Sequence, residues 1–91
     1  MSAEDRALRL AGTVVFANHA TLRGRISAFI LAGGETVDWQ DVTELDSSAL
    51  SLIFHARRLA EARGRSVRHT HLPSTLDALA GLYGVRDLIA S

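Results

Sequence analysis

Between Asp46 and Gly64, the residues Ala49, Leu52, Ile53, Ala56, Leu59 and Ala60 stand at i, +3, +4, +7, +10 and +11. That spacing places them on one face of an α-helix, and a helix with so regular a stripe must bury it against another element. The ends agree with the interior. Asp46 is a strong N-cap, Arg57, Arg58 and Arg63 fall toward the end where cations complement the helix dipole, and Gly64 is a C-terminal stop.

What this helix packs on is written in shorter runs. Leu8 and Leu10 alternate with arginine, and Val14-Val15-Phe16 is β-branched and aromatic, so two strands joined by a tight turn at Gly12-Thr13 are predicted. Asn18 suits an N-cap, and Leu22, Ile26, Phe29 and Ile30 form a helical stripe that Gly33-Gly34 ends. Gly24 weakens that helix by about 1 kcal/mol relative to alanine. Thr36–Trp39 reads as a short strand, followed by a loop from Asp41 to Leu45. Ser66–Leu72 reads as another strand. Pro73-Ser74-Thr75-Leu76-Asp77 then begins a third helix with a capping-box-like Ser-x-x-Asp and a stripe of Leu76, Leu79, Ala80 and Tyr83. After Gly84, the apolar residues Val85, Leu88 and Ile89 suit a short helix that packs back. The order ββαβαβα implies an α/β fold: a small mixed sheet of about four strands with helices packed on it.

A chain of 91 residues makes one small domain. It buries only about 60–70% of the surface its unfolded form exposes, so packing has to be efficient. With 47% hydrophobic and 22% charged residues the composition is that of a globular core. Ten basic residues, all arginine, balance ten acidic ones. No cationic excess argues for nucleic acid, and the missing charge repulsion leaves room for a homodimer. The absence of cysteine excludes a disulfide scaffold and a Cys-based zinc site. Met1–Arg9 lacks the apolar run of a signal peptide, and Ser27–Gly34 is too short to span a bilayer. A cytoplasmic protein without direct membrane insertion is the expectation.

The stretch richest in chemistry runs from Asp38 to Leu50. With Asp46 as N-cap, Ser47 takes the first helical position, where a hydroxyl sits beside unpaired backbone N–H groups at the positive end of a dipole. Such a position suits a phosphate or an acidic partner group, and it equally suits plain capping. Residue types alone leave both readings open.

A strand carrying Asp38, a short loop, then Leu45-Asp46-Ser47-Ser48-Ala49-Leu50 opening an apolar helix resembles the STAS domain family. That family includes anti-sigma factor antagonists and the STAS subunit of Mla-type phospholipid transporters. The resemblance covers nearly the whole chain and implies one STAS domain over residues 1–91, with no enzymatic activity, cofactor or metal. It makes Ser47 the match of the phosphorylated hydroxyl in antagonists and of a threonine that contacts the ATPase in the Mla-type subunit. Asp38 and Asp46 match the family's supporting acids. Leu79-Ala80-Gly81-Leu82-Tyr83-Gly84-Val85 resembles the Mla-type third helix, which favours the transporter branch. The implied protein is peripheral to the inner membrane through an ABC transporter ATPase. The transporter serves phospholipid transport and outer-membrane lipid asymmetry. The alternative partner is an anti-sigma factor kinase. Glu44 adds negative charge near Ser47, which favours a lasting contact over a phospho-switch.

On the predicted second helix, Leu50, Phe54, Arg57 and Glu61 lie opposite the buried stripe, and an aromatic with a leucine beside arginine suits an interface. Ser47, Ser48, Leu50, Phe54, Arg57 and Arg58 are therefore the expected partner-binding residues. Their alternative is packing under a neighbouring loop. His69 and His71, two apart on a strand, would point to one side, but no third ligand at a telling spacing supports a metal. Ser47 and His55 are two helical turns apart, too far for a nucleophile and its base. Trp39 fits either core or interface.

Overall fold

The computed structural model describes residues 7–89, with residues 88 and 89 as backbone alone. The N-terminal reading of Met1–Arg6 and the packing of Leu88 and Ile89 lie outside the described residues. Strand β1 (Ala7–Val14) leads through a 3₁₀ turn (Phe16–Asn18) into helix α1 (His19–Leu31). Strand β2 (Thr36–Leu45), helix α2 (Ser48–Ala62), strand β3 (Arg68–Thr70) and helices α3 (Ser74–Leu82) and α4 (Arg86–Ile89) follow.

Among the described residues the sheet has three strands in the order β1-β2-β3, all parallel, in place of the mixed sheet of about four strands expected. The difference lies at Gly12. Its φ of +74° does not reverse the chain; β1 runs through as one strand. The mismatch is taken up in β2, which spends an additional residue between the pairs Arg9–Asp38 and Ala11–Asp41, and again between Gly12–Val42 and Thr13–Glu44. The predicted loop from Asp41 to Leu45 is therefore strand. β3 ends earlier than predicted because His71 adopts φ +56°, a left-handed conformation that ends the ladder, and it begins only at Arg68.

The side chains of β1 and β2 alternate between two environments. Leu10, Val14, Val37 and Trp39 join Leu22, Ile26 and Ile30 of α1 and Ala49, Leu52, Ile53, Ala56 and Ala60 of α2 in one core. Trp39 is fully buried there, and its Nε1 donates to His69 Nδ1 at 3.0 Å. The opposite face holds Arg9, Asp38, Gln40, Thr70 and His71 around a polar cavity of about 410 Å³. His69 and His71 thus do not share a side. The left-handed turn swings His71 back so that its Nδ1 lies 2.9 Å from Asp38 Oδ1.

Gly64, at φ +70°, closes α2 with Gly64 N–H on Glu61 O (3.0 Å) and Arg65 N–H on Ala60 O (2.9 Å). This pair of reversed bonds needs a left-handed residue, which glycine supplies without steric cost. Two other predicted caps behave differently. Asn18 makes no cap bond to α1; its amide donates to Thr13 O (2.8 Å) and its oxygen accepts from Val15 N–H (2.9 Å), tying off the end of β1. Ser74 gives α3 no side-chain cap, and Asp77 instead accepts from Arg86 Nε at 3.1 Å, pinning α4 to α3. No helix among the described residues is long and apolar enough to cross a membrane.

Candidate partner-docking site

The C-terminal ends of β1 and β2 meet where α2 begins. Asp46 N–H donates to Val14 O (3.2 Å), joining the two strand ends. The Asp46 carboxylate then organises everything around it. Oδ2 accepts from Phe16 N–H at 3.0 Å, and Oδ1 accepts from Ser48 N–H at 2.9 Å and from the Ser48 hydroxyl at 2.5 Å. The Ser48 hydroxyl, followed by the Phe16 and Ser48 amides, holds the Asp46 carboxyl below the usual range, so it stays ionised. Its side chain does the work of an N-cap, although regular helix geometry starts at Ser48.

The two serines are therefore not equivalent. Ser48 is half-buried with its hydroxyl turned onto Asp46. Ser47 is exposed, already helical at φ −64° and ψ −16°, and contributes no side-chain cap bond. The sequence pattern alone does not choose between them; the bonding does.

The other expected site residues divide. Leu50 is 5% exposed and belongs to the core, contrary to its predicted place opposite the buried face. It sits at the margin of the stripe, where packing of neighbouring elements covers it. Phe54 is half-buried and, with Arg57, Arg58, Glu61 and Val85, lines a groove of about 340 Å³. Arg57 Nε bonds Glu61 Oε1 at 2.8 Å, while Arg58 is exposed. Asp38 does not join this end. It lies in the first half of β2, roughly 20 Å or more along the strand from Asp46. Burial alone would raise its pKa, but the Gln40 amide, His71 and Arg9 together outweigh that and hold the carboxyl low. Asp38 is thus a structural acid of the polar sheet face.

Exposed apolar side chains that the sequence reading did not assign to the site add to the surface. Phe16, whose amide is bound by Asp46, is 82% exposed, and Leu82 and Tyr83 at the end of α3 are 78% and 58% exposed. Phe16 was hidden by its place in the run Val14-Val15-Phe16, and Tyr83 by its helical spacing with Leu76 and Ala80. Among the described residues no group of three His, Cys, Asp or Glu could hold a metal.

A family profile described as "Mlab, STAS domain" matches residues 1–90. The chain belongs to the STAS domain family. Among solved structures the STAS domain resembles the anti-sigma factor antagonist SpoIIAA in its unphosphorylated form. The TM-score is 0.68 at 23% identity, covering 89% of this chain and 73% of that one. At that identity the likeness speaks for the fold alone. No curated protein matches the chain significantly.

Proposed function

We propose that this STAS domain is a non-enzymatic subunit that docks on the ATPase of an Mla-type ABC transporter and supports its assembled state. The reading places it in phospholipid transport and outer-membrane lipid asymmetry, on the cytoplasmic side of the inner membrane. The observation that carries it is Ser47, exposed at the start of α2 on a rigid Asp46 frame, in a chain whose family profile is of the Mlab kind. A hydroxyl so placed offers a donor and an acceptor to a partner without first breaking a bond of its own. Reaction chemistry belongs to the partner.

The likeness to an antagonist favours a second reading, in which Ser47 is phosphorylated and released from an anti-sigma factor kinase. Phosphate would add up to about two negative charges there. The Asp46 carboxylate lies beside Ser47 and exposed Glu44 three residues before it, so the product would meet like charge. This supports an unmodified contact.

Affinity purification from the native host tests the choice. The expected result is co-purification of a transporter ATPase with Ser47 unmodified in the intact mass. Recovery of a kinase with stoichiometric phosphate on Ser47 establishes the second reading instead. Ser47→Asp and Phe54→Ala should each weaken ATPase binding by about tenfold, the usual scale of an interface residue. Unchanged binding in both variants refutes the docking face.

A further inference from the structure

The face of α2 that begins at Ser47 continues toward α1 with a different chemistry. Ser47, Ser51, His55 and Arg58 follow one another at steps of four, four and three, so they share one side of the helix. Across the seam, α1 presents His19, Arg23 and Ser27 at steps of four. The two rows interlock at His55, whose Nδ1 lies 3.4 Å from Arg23 Nε and whose Nε2 lies 2.6 Å from Ser27 Oγ. Because Arg23 donates to Nδ1, the ring proton sits on Nε2 and points at Ser27; the pair is no nucleophile and base.

What distinguishes this seam is its charge. Burial, and then Arg23, Arg58 and His19 with no carboxylate among them, hold the His55 imidazole below its usual range. Arg23 and Arg58 are exposed, and neither has an acidic partner among the described residues. Asp46, at the Ser47 end, is bonded by Phe16 and Ser48 and acts electrostatically on His19, so the acid of the seam lies at that end and away from His55. His19 adds a second sign of incompleteness, a buried Nδ1 without a hydrogen-bond partner among the described residues. Asp46 and Glu44 make the Ser47 end of the seam negative, whereas around His55 the exposed Arg23 and Arg58 make no ion pair among the described residues, an arrangement that an incoming anion would relieve.

We propose that the α1–α2 seam around His55, from Ser51 to Arg58, seats an acidic segment of the protein partner, with Arg23 and Arg58 receiving its carboxylates. This deepens, and rests on, the reading of Ser47 as the start of a docking face. The eight residues from Ser51 to Arg58 span about 10 Å, which suits two turns of an acidic helix or a short extended stretch. Guanidinium forks favour carboxylates. A lipid surface is the weaker match, because electrostatic recruitment to membranes draws on clusters of about four to eight basic residues.

Fluorescein-labelled hexaglutamate is a suitable probe, followed by anisotropy at low and high salt, with amide shifts mapped by NMR. It is expected to bind at low salt, to be weakened by added salt, and to shift the amides around Arg23, His55 and Arg58. The double variant Arg23→Ser/Arg58→Ser should lose at least about tenfold in affinity with an unchanged melting temperature. Arg63→Ser, beyond the seam, should lose nothing. Charge reversal in Arg23→Glu/Arg58→Glu should transfer binding to hexalysine. The proposal is overturned if wild type does not bind hexaglutamate, or if Arg63→Ser loses as much as the double variant. It is also overturned if phosphatidylglycerol vesicles bind through Arg23 and Arg58 while the peptide does not. No ATPase enters this test, so its failure leaves the Ser47 docking reading to the purification experiment.

Discussion

His69 carries a cost in the folded state. Its Nδ1 accepts from Trp39, which fixes the proton on Nε2, and that buried atom has no partner among the described residues. An unsatisfied buried donor costs about 1–3 kcal/mol. Protonation would add a charge in the same place, so burial pushes the imidazole down from 6.5 to about 4. The folded pKa is depressed, so folding favours the neutral ring. Its contribution is full above pH 6.5, declines as pH falls, and is gone below about 4. By pH 4.5 the loss should reach about 2–3 kcal/mol. His55, also held low, adds loss in the same direction as pH falls below 6.5, whereas Asp38 and Asp46 lose their contributions only below 3.8. Urea melts at pH 7.5 and 4.5 test this, with the single tryptophan, Trp39, as the reporter. His69→Gln should remove most of the difference. Leu50 gives a second residue-scale expectation: because it is core, Leu50→Ala should cost about 2–4 kcal/mol of stability. Wild-type stability in Leu50→Ala with lost partner binding would restore Leu50 to the docking surface.

At the scale of elements, α2 is held at both ends by different devices, Asp46 in front and Gly64 behind. An added Cβ at Gly64 meets nothing within 4 Å, so Gly64→Ala tests backbone strain alone. It should cost about 1–2 kcal/mol and lower Tm by about 5–10 °C in a domain of this size. An unchanged Tm would mean that the helix end relaxes into another turn. α2 was readable in the sequence because a fifteen-residue helix repeats its stripe several times and carries its caps in order. β1 was harder. Leu8, Leu10 and Val14 show strand alternation, but Gly12-Thr13 has the same composition whether the chain reverses or bulges. Only pairing with β2, distant in sequence, decides which. Likewise the alternation of His69 and His71 failed because left-handed φ at a histidine leaves no local signature. Of the candidate site, Ser47 and the Asp46 cap were legible from the Leu-Asp-Ser-Ser pattern. Phe16 and the α1 side of the seam were not, since neither is marked by any short-range spacing with Ser47.

The whole molecule has the compactness of a lone small domain, with a Cα radius of gyration of 12.3 Å against about 12 Å expected for its length. Its surface works against that solitude. Net charge is zero with an isoelectric point near 6.9, so at neutral pH no long-range repulsion keeps copies apart. Phe16 and Leu82 meanwhile expose most of their apolar surface. A subunit built to sit on a partner can tolerate such side chains, because the partner covers them. The isolated domain leaves them to meet solvent or one another. Light scattering on the purified chain should therefore show attraction strongest near pH 7 and weaker as pH moves away to either side. Phe16→Glu/Leu82→Glu adds two charges and removes the apolar contacts, so it should abolish concentration-dependent association at pH 7 while leaving the circular dichroism spectrum unchanged. If association persists in that variant, the contact lies elsewhere, on the polar sheet face or the edge of β1 that is unpaired among the described residues.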